Sequence, residues 1–161
     1  MKRRFGYVSN SSSSSFVVVP DSVVEEFNSG YEKHLMESYE CLRTTMEFSH
    51  IGKGWCGLFA DAQTRFSWEQ VLYHGLKDKW NWLVLQAFYG GQRWLDKMDA
   101  LVEEATNGEM AIAWDIVESM DDGGRAFVYH LLVDAKSTFD EVEKVGIARW
   151  LADERCSFKI D

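Results

Sequence analysis

The stretch DKWNWLVLQAFYGG, residues 78–91, constrains this chain more than any other. From Trp80 to Tyr89 it is apolar almost all the way round a helix, and a helix without a polar face is a buried one. Gly90-Gly91 closes it. The rest of the chain has to enclose that helix, and 161 residues suffice for one domain with a real core and no covalent staples.

The neighbouring segments supply amphipathic layers. Residues 93–106 place Trp94, Leu95, Met98, Leu101, Val102 and Ala105 on one helical face and Asp96, Lys97, Asp99, Glu103 and Glu104 on the other. Ser22 with Glu25 three residues on fits a capping box, and Val24, Phe27, Tyr31 and Leu35 follow at helical spacing. That pattern extends through Leu42 and Met46, with Asn28-Ser29-Gly30 as its break point. Residues 50–66, with Gly52, Gly54 and Gly57, read as a loop. Ser67-Trp68-Glu69-Gln70 is a second capping box, opening a helix with Val71, Leu72 and Leu76. Ser137 or Thr138 caps a last helix carrying Phe139, Val142, Val145, Trp150 and Leu151.

Strand signals are shorter. Phe16 to Val19 is a β-branched and aromatic run ended by Pro20, which cannot donate to a ladder. MAIAWDIV (110–117) alternates Ile112, Trp114 and Ile116 with smaller or polar residues, AFVYHLLV (126–133) follows, and ESMDDGGR between them reads as a hairpin connection. FKI at 158–160 is a short terminal strand. The order of elements does not alternate strictly, which favours α+β over a doubly wound sheet. The expectation is a Ser-rich segment over 1–15 and a single α+β domain over 16–161. Its small, mostly antiparallel sheet has strands near 16–19, 110–117, 126–133 and 158–160, packed against four or five helices.

Charge narrows the partners. The net charge is −9, and an acidic chain repels phosphate backbones, so general nucleic-acid binding is disfavoured. Lys2, Arg3 and Arg4 form a small basic arm, most simply a solubilising one. Cys41, Cys56 and Cys156 show neither an even count nor C-x-x-C spacing, against a disulfide scaffold or structural zinc. The basic start runs into serines rather than an apolar stretch, and no run approaches the ~18 apolar residues of a membrane span. A cytoplasmic protein without a cofactor is expected.

Candidate chemistry is sparse. Cys56 sits among glycines in KGWCGLF, with His130 and then Asp134 downstream, the order of a cysteine hydrolase or transferase in which a base activates a thiolate. A buried structural cysteine and a strand histidine are the simpler account, since Cys is among the most buried residue types. The histidines lack zinc-site spacing, and the Glu118, Asp121 and Asp122 cluster lacks the alternation of a calcium loop, so no metal site is expected. The segment 21–48 is rich in acids, and Glu37, Glu40 and Glu47 fall on one helical face that could occupy a basic groove on another protein. An ordinary solvated face is its plainer reading. Seven tryptophans, Trp55 among them, suit a core with some rings left for contact.

The remaining feature is the tract Val8-Ser9-Asn10 followed by Ser11, Ser12, Ser13, Ser14, Ser15 and Phe16. With the basic-aromatic lead before it, this opening resembles that of many small proteins from tailed bacteriophages and some bacteria, a group without an agreed activity. The resemblance covers about residues 2–19. It implies a phage or prophage origin, with the bacterial host cell as the site of action. A tail, a modification tag and an ordered loop compete as accounts of the serines, and their preference for side-chain to backbone bonds favours the loop. Three functions are carried forward: a module binding a host or phage protein, the Cys56–His130 enzyme, and a minor virion component.

Overall fold

The structure is a computed structural model, and it describes residues 15–29, 72–108, 110–115 and 134–160. Among these, a three-stranded antiparallel sheet packs with five helices, an α+β arrangement as the sequence predicts. The strands are β1 (Ser15–Val18), β2 (Leu72–Tyr73) and β3 (Ser157–Ile160). The helices are α1 (Asp21–Asn28), α2 (Leu76–Gly90), α3 (Gln92–Ala105), α4 (Ala135–Val142) and α5 (Ile147–Ala152).

The apolar run behaves as its composition requires. Every residue of α2 from Lys79 to Ala87 is buried, with α3, α4 and α5 packed against it. Trp82 stacks on Phe158 of β3 at 4.5 Å between ring centroids, and Phe158 also stacks on Tyr73 of β2 at 4.7 Å. One phenyl ring thus joins the central helix to two strands. Each large side chain buried in this way contributes ~1.5–3 kcal/mol of transfer free energy. Gly90 and Gly91 end α2 as expected. Gly91 has φ 100°, a conformation costly for any residue with a Cβ. A Cβ on Gly90 would come within 2.8 Å of Trp94 and 3.0 Å of Ala135, so the close approach of α3 and α4 depends on that glycine. Helix α3 is amphipathic as read, with Met98, Val102 and Ala105 buried.

The sheet differs from expectation in its membership. The strand near 158–160 lies at the centre, in the order β1-β3-β2. Phe16 pairs with Lys159 and Val17 with Phe158, while on the other side Tyr73 pairs with Phe158. Leu72 and Tyr73 are therefore strand, although the sequence places them in a helix opened at Ser67. Pairing with β3 and stacking on Phe158 outweigh local helical spacing there. Of the strand expected at 110–117, the described residues, 110–115, do not form one. Ile112 makes a single β-bridge, and Trp114 and Asp115 already have helical backbone. Trp114 is held by its indole N–H, which donates to Asp99 on α3 at 2.9 Å. The strand expected at 126–133 lies outside the described residues.

Helix starts also shift. Pro20 rather than Ser22 precedes α1, and its carbonyl accepts from the N–H groups of Val23 and Val24, which places Ser22 inside the helix. The helix ends at Asn28, at the expected break point. The last helix is two, α4 and α5, because Gly146 with φ 76° turns the chain between them. The cap of α4 is Asp134, not Ser137 or Thr138: its carboxylate accepts from the Ser137 N–H at 3.2 Å. No helix among the described residues is long and apolar enough to cross a membrane.

Candidate functional site

Polar chemistry in the described fold concentrates where α5 turns into β3. Lys79, fully buried on α2, points its ammonium into that turn. It donates to the carbonyls of Trp150 at 2.8 Å, Asp153 at 2.9 Å and Cys156 at 3.2 Å. The ammonium also lies 5.5 Å from the centre of the Trp150 ring. The Trp150 carbonyl is one that the end of α5 leaves without a helical partner, the Asp153 carbonyl also accepts from the Cys156 N–H at 3.0 Å, and the Cys156 carbonyl directly precedes β3, so one buried cation gathers acceptors from the whole turn. Burial pulls the Lys79 ammonium down to about 8, while Cys156, Asp153 and Glu154 oppose the fall. The same burial pushes the Cys156 thiol up to about 12, so this cysteine is a poor nucleophile near neutral pH. With all three N–H groups of Lys79 engaged, its charged form acts as a structural cation rather than as a reagent.

Around this turn runs an ionic cluster. Arg149 donates to Asp153 at 3.0 Å and to Glu26 on α1 at 2.8 Å. Arg155 reaches both oxygens of Glu26, at 2.9 and 2.7 Å, and both oxygens of Asp153, at 3.0 and 2.8 Å. The Arg155 hydrogen bonds lower the Glu26 carboxyl. Burial alone would raise Asp153, but the two guanidiniums reverse it and hold that carboxyl low as well. The bonds to Glu26 fasten α1 to the α5–β3 turn. Nearby, His74 lies with Nδ1 2.9 Å from the Glu154 carbonyl, a contact in which Nδ1–H donates.

A second polar surface lies on α3. Asp96, Asp99, Glu103 and Glu104 are exposed there, with Asp115 exposed beside the half-buried Trp114 that Asp99 holds. Burial raises the Asp99 carboxyl, opposed by the Trp114 hydrogen bond, with Asp96 adding to the rise. Lys97 pairs with Glu143 across to the end of α4 at 2.8 Å.

Of the residues singled out in the sequence, Asp134 is described, and it caps α4 through Oδ1. Its backbone N–H donates to the buried Gln86 side chain at 2.8 Å, which pins the start of α4 to α2. Its Oδ2 is buried without a hydrogen-bond partner. Ser15 and Phe16 form the first half of β1, so the serine run ends inside the sheet. Cys56, His130, Glu37, Glu40, Glu47, Trp55 and Ser9 through Ser14 lie outside the described residues. Sequence reasoning missed Lys79 and the Glu26–Arg149–Asp153–Arg155 cluster. The signal for Lys79 was present, since it is a cation at the edge of an otherwise apolar helical run.

Among the described residues no group of three or more His, Cys, Asp or Glu side chains is placed to hold a metal ion. No family model, curated protein or solved structure matches the chain.

Proposed function

We propose that this chain is a phage-derived accessory protein that acts in the bacterial cytoplasm by docking on a host or phage protein, as an inhibitor of a host process or defence. The observation that carries the reading is the acidic outer side of α3, with Asp96, Asp99, Glu103 and Glu104 next to Asp115 and the Trp114 ring. Exposed carboxylates beside an anchored indole suit a protein partner with a basic, partly apolar surface. The net charge of −9 argues in the same direction and against nucleic acid. The phage-like opening supports the origin.

The test passes lysate from infected and uninfected bacteria over the wild type and over a variant with Asp96, Glu103 and Glu104 changed to Lys. The expected result is a protein retained by the wild type at low salt, released at high salt and absent from the variant. Recovery of nothing above background, or equal recovery by the variant, overturns the reading.

A second reading, a cysteine hydrolase or transferase using Cys56 and His130, is favoured by the unpaired Oδ2 of Asp134. A carboxylate oxygen in that state could orient an imidazole. Full biological effect of a Cys56→Ser variant ends that reading.

A further inference from the structure

Asp153 stands behind two guanidiniums and aims both at one point. Its Oδ2 accepts from Arg149 Nε at 3.0 Å and from Arg155 Nη2 at 2.8 Å, and its Oδ1 accepts from Arg155 Nε at 3.0 Å. Asp153 is fixed in turn by the backbone. Its N–H donates to the Arg149 carbonyl at 2.9 Å, and its carbonyl accepts from the Cys156 N–H at 3.0 Å and from Lys79 at 2.9 Å. The fork is thus assembled by the α5–β3 connection and Lys79, and Glu26 is not needed to hold its shape. Three donors remain on its outer side, on Arg149 Nη2, Arg155 Nη1 and Arg155 Nη2, and all three converge on the Glu26 carboxylate.

A carboxylate has one oxygen too few for that fork. Oε2 takes two of the donors, at 2.8 and 2.7 Å, and Oε1 takes the third at 2.9 Å. A phosphate monoester presents three terminal oxygens, one for each donor, and close to two negative charges for the two guanidiniums. Glu26 can turn away without its helix. Val23, fully buried, seats α1 with Val24 and Phe27 against the core, whereas the Glu26 side chain is well exposed and needs only a change of rotamer. Once it has turned, the cations Arg149, Arg155 and Lys79 outnumber the carboxylates Asp153 and Glu154 around the turn.

We propose that the Arg149–Arg155 fork is a binding site for a phosphate monoester, closed here by Glu26 as an internal stand-in and opened when the phosphate displaces it. The site uses no residue of the α3 surface, so its test is independent of the docking function. Arg149 is the fixed half of the fork, buried at the end of α5, and the exposed Arg155 is the half a ligand meets first.

The experiment titrates the full 15N-labelled chain with inorganic phosphate and, separately, with phosphoserine, at an ionic strength held constant with chloride. NMR follows the Nε–H signals of Arg149 and Arg155 and the Glu26 amide. The expected result is a saturable shift of all three in the wild type. In Glu26→Ala the dissociation constant should fall by about tenfold or more, because the fork no longer has to open. Arg155→Lys keeps the charge but loses the fork, and its saturable response should vanish. If that variant does not fold, Glu26→Ala against the wild type decides. An unchanged affinity in Glu26→Ala, a wild type that never saturates, or saturation that survives in Arg155→Lys overturns the proposal. A site that takes inorganic phosphate but not phosphoserine overturns its assignment to a monoester.

Discussion

At the N-terminal end of α2 a lysine ties down three carbonyls, while at its C-terminal end a glycine lets Trp94 and Ala135 close in on the helix. Both ends are tightly packed, but they tolerate change differently. The glycine end is held chiefly by shape, with Trp94 stacked on Phe139 at 5.4 Å, beside a single bond from the Asp134 N–H to the Gln86 side chain. The lysine end is held by donors matched to acceptors, where loss of the ammonium takes the donor from the Trp150 and Cys156 carbonyls. Packing fails in proportion to volume; a polar cage fails at once when its one donor goes.

The middle of the helix sets the upper limit of that comparison. Trp82→Ala removes the ring that bridges α2 to Phe158 and should cost ~3–5 kcal/mol in urea unfolding. A loss below about 1 kcal/mol would mean that the stack is not what joins helix to sheet. Lys79→Met keeps the stem and deletes the charge, stranding the Trp150 and Cys156 carbonyls while the Asp153 carbonyl keeps the Cys156 N–H, with an expected loss of about 2 kcal/mol at pH 7. A neutral result would assign the lysine end to packing too and erase the contrast.

The same pair of proteins separates charge from shape by pH. The Lys79 value in the fold, about 8, lies below the 10.5 of an unperturbed lysine, so the folded state sheds the proton first. Wild-type stability should therefore rise from about pH 8 to 9. Above 9 the Cys156 thiol works in the opposite direction, since it stays protonated in the fold up to about 12 while the unfolded chain ionises. Lys79→Met should lack the initial rise. Denaturant midpoints at pH 7, 8 and 9 for both proteins make the check.

At the other end, Gly90→Ala forces a methyl against Trp94 and Ala135 and should cost ~1–3 kcal/mol, with the loss insensitive to pH and salt. The smallest effect is expected for Glu26→Gln, because Glu26 and Arg155 are both well exposed. Its melting temperature should fall slightly at low ionic strength and converge on the wild type at high ionic strength. An equal fall at both would show that Glu26 holds α1 by more than charge.

Legibility in the sequence followed the same division. Non-directional packing leaves a periodic trace, so Trp80–Tyr89, the amphipathic 93–106 segment and the closing glycines could be read directly. Directional contacts between distant residues leave none. Nothing local to Leu72 and Tyr73 says that Phe158 will pair with and stack on Tyr73, and helical spacing around them pointed the other way. Residues 110–117 alternate well enough for a strand, but alternation cannot register that the Trp114 indole finds Asp99 fifteen residues earlier. The arginine cluster was hidden for the same reason, its Glu26 lying far from Arg149 and Arg155 in the chain. Asp134 was noticed, but as a possible acid in a reaction, whereas one of its oxygens serves a helix start.

The place of β3 between β1 and β2 has a consequence for biosynthesis. An emerging polypeptide that has exposed both outer strands still lacks the one that joins them, so neither can settle until residues 157–160 leave the ribosome. Closing so large a loop is entropically slow, and the unpaired Val-rich first strand stays open to strangers in the meantime.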